Sequence, residues 1–160
     1  MTIVLHDIRS AHNVGSIFRT ADAAGCTKIY LCGITPAPVD CFGRKNSEIT
    51  KVGLGAEEWI PWESVKSATS LINRLKKQGD TILALEQDTV SVPYTNVIIP
   101  SVRWSNTVLV VGSEVKGLSK PLLKRADTII EIPMHGKKES LNVAVAFGIV
   151  VFSFRQKKTL

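Results

Sequence analysis

Five consecutive residues set the strongest limit on what this chain can fold into. Thr107-Val108-Leu109-Val110-Val111 is apolar without alternation, and a glycine-rich turn over 112–117 follows at once. A strand of that kind leaves no face for water, so it belongs inside a parallel sheet covered by helices on both sides. The rest of the chain supplies such a sheet. Strand-like runs at 2–5, 28–32, 81–85 and 128–132 alternate with helix-like ones, the pattern of an α/β fold with a largely parallel sheet. At 160 residues the expectation is a single domain spanning 1–160.

The spacing predicts a helix from Asn13, with Asn13 as its N-cap. Val14, Ile17, Phe18 and Ala21 form its apolar face, and Gly25 ends it. A second helix is read over 62–78, with Val65, Ala68, Leu71, Ile72 and Leu75 inward, and a short third over 119–125. Residues 33–51 read as loop and carry Arg44, Lys45 and Lys51. The last helix, 140–156, has Ser140 as its expected N-cap. It is apolar nearly all round, with Val143, Val145, Phe147, Ile149, Val150 and Phe152 among its residues. A helix like that is buried on several sides, and in so small a chain the extra face predicts a subunit interface. Its β-branched residues make a buried central strand the competing assignment.

Composition narrows the function classes. No apolar run reaches the ~18 residues of a membrane span, and the N-terminus lacks a basic start and cleavage site, so a cytoplasmic protein without a membrane partner is expected. Cys26, Cys32 and Cys41 are odd in number and form no CxxC pair. That argues against a disulfide framework or a zinc site and for small buried side chains. His6, His12 and His135 have no metal-ligand spacing, and Gly-x-Ser-x-Gly is absent. The net charge of +6 favours a polyanionic partner if the charge gathers at a site.

Three clusters carry polar residues at such a site. Asn13 and Gly15 sit where a helix start leaves N–H groups free, and Arg19 follows on a different face from the apolar stripe. Gly112-Ser113-Glu114 with Lys116, Gly117, Leu118 and Ser119 lies after a buried strand, at the end where parallel sheets bind ligands. Its glycines have the spacing of a P-loop, but Leu118 stands where the lysine is required, which excludes that reading. Ile132-Pro133-Met134 with Gly136, then Ser140-Leu141-Asn142-Val143, repeats the arrangement of strand end, turn and apolar helix. Asn142, in the first turn of such a helix, needs hydrogen-bond partners.

In order and content these clusters resemble the three motifs of the SpoU, or TrmH, family of RNA ribose 2′-O-methyltransferases, in the SPOUT superfamily. The resemblance implies an α/β methyltransferase fold with a deep trefoil knot in its C-terminal part, and a homodimer built on the first and last helices. It implies S-adenosyl-L-methionine as cofactor, held largely by backbone at Leu85, Gly112, Ile132, Met134 and Leu141. It assigns Arg19 to the target hydroxyl and phosphate, with Asn13, Glu114, Ser140 and Asn142 organising the catalytic pocket. Arg44, Lys45, Lys51 and Lys116, with Lys137 and Lys138, are the expected RNA contacts.

Ala144 departs from the serine many members carry there, and Ser113 and Lys116 depart from commoner residues; these touch the shape of the pocket rather than the reaction. No separate N-terminal RNA-binding domain is read. The short chain turns the expectation towards tRNA ahead of rRNA. A binding-only RNA protein on the same fold, and a methyltransferase for another RNA atom, are the alternatives.

Overall fold

The computed structural model describes residues 1–156. The strands are β1 (Thr2–His6), β2 (Lys28–Cys32), β3 (Trp62–Val65), β4 (Thr81–Leu85), β5 (Val92–Pro93), β6 (Thr107–Val111) and β7 (Thr128–Glu131). They form one sheet in the order β3-β2-β1-β6-β4-β7-β5, and each neighbouring pair is parallel. The continuously apolar run is β6. It lies between β1 and β4, and all five of its residues are buried.

Among the described residues, six α-helices cover the two faces: α1 (Ala11–Ala23), α2 (Ser47–Gly53), α3 (Ala56–Trp59), α4 (Ala68–Lys77), α5 (Lys120–Leu123) and α6 (Val143–Gln156). Alternation along the strands decides which core each residue joins. Ile3, Leu5, Leu109 and Val111 point to the face where α1 contributes Val14, Ile17 and Phe18, and α6 contributes Phe147, Val150 and Phe154. Val4, Val108 and Val110 point the other way, to Leu71, Ile72 and Leu75 of α4 and Leu122 of α5. Each fully buried side chain of this size contributes roughly 1.5–3 kcal/mol of transfer free energy, which is why the sheet, apolar on both sides, holds two helical layers.

Four local expectations are corrected. Asn13 is not the cap of α1: Ser10 is, with its Oγ accepting from Asn13 N at 3.2 Å, so the helix begins earlier and the Asn13 side chain turns inward. The region 62–78 is not one helix. Its first residues form the edge strand β3, whose Trp62, Glu63 and Val65 are half-buried beside β2, and Ser67 then caps α4. The region 33–51 is not all loop, because Asn46 caps α2 there. Ser140 does not cap α6. Asn142 does, its Oδ1 accepting from Ala144 N at 2.9 Å and Val145 N at 3.4 Å.

The last apolar segment is a helix, as expected. Its buried side holds Val143, Phe147, Val150, Val151 and Phe154. Val145, Ile149 and Phe152 form an exposed stripe on the side away from that core, with Val145 51% exposed. Of the cysteines, Cys26 and Cys32 are buried, whereas Cys41 is exposed, against the expectation that all three are interior.

Candidate active site

The carboxyl ends of β4, β6 and β7 border a cavity of about 370 Å³, within the range of small-molecule sites. Leu85, Gly112, Ile132, Met134 and Leu141, the five residues expected to hold a cofactor, all line it. Glu114, Ser140 and Lys116 also reach it, together with Glu86, Gln87 and Glu131, which the sequence reading passed over. Their signal was position: Glu86 and Gln87 directly follow a buried strand at the ligand-binding end of the sheet.

The turn after β6 explains the two glycines. Gly117 donates back to Ser113 O at 2.9 Å, and its φ of +62° lies in the left-handed region that side chains avoid. The Gly117–Leu118 peptide crosses directly over Gly112. A Cβ on Gly112 would stand 2.6 Å from the Gly117 carbonyl carbon, so only glycine lets the backbone pass.

Glu114 leaves this turn towards the start of α1. Its Oε2 accepts from Arg9 N at 3.1 Å, and its Oε1 from Ser10 N at 3.4 Å and from Asn13 Nδ2 at 2.9 Å. Asn13 Oδ1 in turn accepts from Asn142 Nδ2 at 3.1 Å. One polar chain, Glu114–Asn13–Asn142, therefore joins three segments, with Asn13 more than a hundred residues from either partner in sequence. Partial burial pushes the Glu114 carboxyl up. The bonds from Asn13, from its own N–H, and from Arg9 and Ser10 outweigh that and hold it below its ordinary value. It is thus an acceptor, not an acid, near neutral pH.

Arg19 is placed elsewhere. It is exposed, about 9 Å further along α1 than Asn13 and roughly 120° round the helix. It lines a groove with His12 of α1 and Glu48, Lys51 and Val52 of α2, and it is not among the residues lining the strand-end cavity of its own chain. Gly15, expected at an anion-binding helix start, is instead the contact point of α1 and α2. A Cβ there would meet Ile49 O at 2.6 Å.

The basic residues divide. Arg44 bonds Asp40 through Nε at 2.7 Å, with its guanidinium over the exposed Phe42 ring, and Lys45 pairs with Glu58. Such exposed pairs are worth little, so both cations remain available to phosphates. Lys51 joins the Arg19 groove and Lys116 the strand-end cavity. Lys137 and Lys138 are exposed on the loop before α6. Among the described residues no group of His, Cys, Asp and Glu side chains has the arrangement of a metal site.

The profile of the SpoU rRNA Methylase family matches residues 1–152. The chain belongs to that family. Among its relatives, a 23S rRNA (guanosine-2′-O-)-methyltransferase from Neisseria meningitidis serogroup B is 30% identical over 160 residues, all of this chain and 60% of the relative. A tRNA (guanosine(18)-2′-O)-methyltransferase from Borreliella burgdorferi is 30% identical over 96% of this chain and 65% of its own length. The chain spans 60–64% of the first curated relatives it matches.

Solved structures of the SpoU family superpose closely. The TrmH/SpoU tRNA modifying enzyme of A. aeolicus has a TM-score of 0.80 at 29% identity, covering 98% of this chain and 74% of that one. An AdoMet-bound rRNA methyltransferase from Sinorhizobium meliloti has a TM-score of 0.84 at 30% identity, covering 97% of this chain and 55% of the other.

Proposed function

We propose that this protein is an RNA ribose 2′-O-methyltransferase that uses S-adenosyl-L-methionine and works as a homodimer in the cytoplasm. The observation that carries the reading is the Glu114–Asn13–Asn142 chain, because it gathers polar residues of all three sequence clusters beside one cofactor-sized cavity. Membership of the SpoU family supports it, as do relatives named for 2′-O-methylation of both rRNA and tRNA. The sequence expectation of tRNA ahead of rRNA is part of the proposal.

The cavity fits the cofactor on its own terms. Gly112, Ile132 and Leu141 stand on its rim. Among the described residues, the N–H groups of Met134 and Leu141 donate to nothing within the chain and are free to receive a ligand. When bound there, the cofactor would supply an electrophilic methyl group. The protein's part is to bring a ribose oxygen into line with it, since a hydroxyl is a weak nucleophile at neutral pH. Arg19 would hold the ribose and its phosphate through a fork of donors that stays protonated, so it positions the hydroxyl rather than acting as a free base. Glu114, Ser140 and Asn142 would keep the pocket in shape, and Asn13 would link them to the arginine's helix. Lys51, Lys116, Arg44 and Lys45 would take up backbone phosphates. The trefoil-knotted path belongs to the same reading, supported by membership of the SpoU family.

Arg19 lies outside its own chain's cavity, and α6 exposes Val145, Ile149 and Phe152. The proposal is therefore that a second copy covers that stripe, and that each Arg19 serves the partner's cavity. To test the reaction, nucleosides of tRNA and rRNA are compared by mass spectrometry with and without the gene. A 2′-O-methylated nucleoside lost from the tRNA fraction is the expected result. A loss confined to rRNA would move the substrate, and an unchanged pair of fractions would favour an RNA-binding role without catalysis.

A further inference from the structure

The cofactor cavity is walled by three separate segments: the end of β4, the turn after β6 and the loop between β7 and α6. Two adjacent side chains after β4 each grasp one of the other two. Glu86 Oε2 accepts from Leu118 N at 2.6 Å, and its Oε1 accepts from Gln87 N at 3.1 Å. Gln87 Nε2 donates to Glu139 O at 2.8 Å. The main chain at the same point is fixed as well, because Glu86 N donates to Ile130 O at 3.0 Å.

The grip of Glu86 falls on the one peptide that crosses over Gly112. The fit is close enough that a Cβ on Gly117 would collide with the Glu86 carboxylate. Glu86 has no ion-pair partner among the described residues and is only half-buried. Neither core packing nor a salt bridge accounts for it. A carboxylate suits the place because it can accept from both N–H groups at once, which an alanine or leucine cannot do.

We infer that Glu86 and Gln87 are positioning residues that clasp the turn after β6 and the loop before α6, two walls of the cofactor cavity, to the end of β4. The inference rests on the cofactor reading above. Without the clasp, the turn and the loop still form but sample wider positions, and ligand affinity falls by the fraction of time the cavity is correctly closed.

Calorimetry with S-adenosylhomocysteine, on the full-length protein without RNA, tests this apart from turnover. Losing a charge-assisted hydrogen bond predicts a roughly 10- to 100-fold rise in Kd for Glu86→Ala. Glu86→Gln, which keeps an acceptor for Leu118, should stay within about threefold of the native protein, and Gln87→Ala, at an exposed position, should rise roughly 3- to 10-fold. The Leu118 amide should exchange with deuterium faster in Glu86→Ala than in Glu86→Gln or the native chain. In turnover assays the loss should appear in KM for the methyl donor, with KM for RNA unmoved. The idea is overturned if Glu86→Ala and Gln87→Ala both bind within twofold of native, or if Glu86→Gln is as impaired as the alanine variant. Should Glu86→Ala fail to fold, Gln87→Ala and Glu86→Gln decide it. If the native chain bound no S-adenosylhomocysteine, the cofactor reading would fall, and Leu118 exchange would still judge the clasp.

Discussion

Replacing Asn13 probes the polar chain that joins α1 to the cavity wall. Asn13 is buried, donates to Glu114 at 2.9 Å and accepts from Asn142 at 3.1 Å. Asn13→Ala removes both bonds. A bond to a charged acceptor is worth about 1.5–3 kcal/mol and a neutral one about 1, and solvent beside Glu114 reduces the first, so the loss should be about 2 kcal/mol. For a chain of this size that lowers Tm by about 4–8 °C. Asn13→Asp has nearly the same shape and keeps the acceptor for Asn142, yet it sets a second carboxylate against Glu114. At pH 7 it should therefore be worse than alanine.

Acid separates the two variants. Hydrogen bonds hold the Glu114 carboxyl low in the folded protein, so its stabilisation is complete above the unfolded value of about 4.3 and is lost as pH falls through the folded value. The gap between native and Asn13→Ala should then narrow below about pH 4. Asn13→Asp should recover relative to alanine already at mildly acidic pH, where the two carboxylates share a proton. Urea melts of the three proteins at about pH 7, 5 and 3 measure this. Asn13→Asp equal to native at pH 7, or no change in ranking with pH, would refute the argument.

Gly15→Ala should cost about 1–3 kcal/mol in a urea melt, because its methyl would press on Ile49 O where α1 meets α2, although alanine is ordinarily the better helix residue. Burial pushes the Cys32 thiol up to about 12 and the Cys26 thiol to about 11, so a disulfide reagent at pH 8 should titrate only the exposed Cys41 until the protein is unfolded. Neutral replacements at Lys51 and Lys116 should each lower the slope of log K against log salt for RNA binding by about one, without changing sequence preference. Mixing Arg19→Ala with Ser140→Trp, which fills the cavity from an exposed loop position, each inactive alone, should restore about a quarter of native activity, since half the dimers are mixed and each has one intact site if Arg19 works across the interface; no recovery from two folded variants would place both functions in one chain.

The strands were legible where burial left one reading. The 107–111 run could only be central, and 28–32 and 81–85 match β2 and β4 residue for residue. Trp62–Val65 was hidden because Val65 also fits the helical spacing of Ala68, Leu71 and Ile72. Only pairing with β2, a contact more than thirty residues away, makes it a strand. Val92–Pro93 is too short to show any period. Asn142 was recognisable as a polar residue in an apolar helix, but both caps were misplaced, onto Asn13 instead of Ser10 and onto Ser140 instead of Asn142. Local sequence cannot show which amide is drawn to a distant Glu114. Glu86 was missed for the same reason: its partner, Leu118 N, is brought near only by the sheet order.

The most direct test of the central claim is where the methyl group goes. The purified protein is incubated with S-adenosylmethionine labelled in its methyl group and with unmodified tRNA or rRNA, and the RNA is then hydrolysed in alkali. A 2′-O-methyl group removes the oxygen that attacks the neighbouring phosphate, so the label should appear in an alkali-resistant dinucleotide and should vanish with Arg19→Ala. Label in ordinary mononucleotides would mean methylation of a base, and no label in any RNA would mean that this fold binds without transferring; either result would contradict the account.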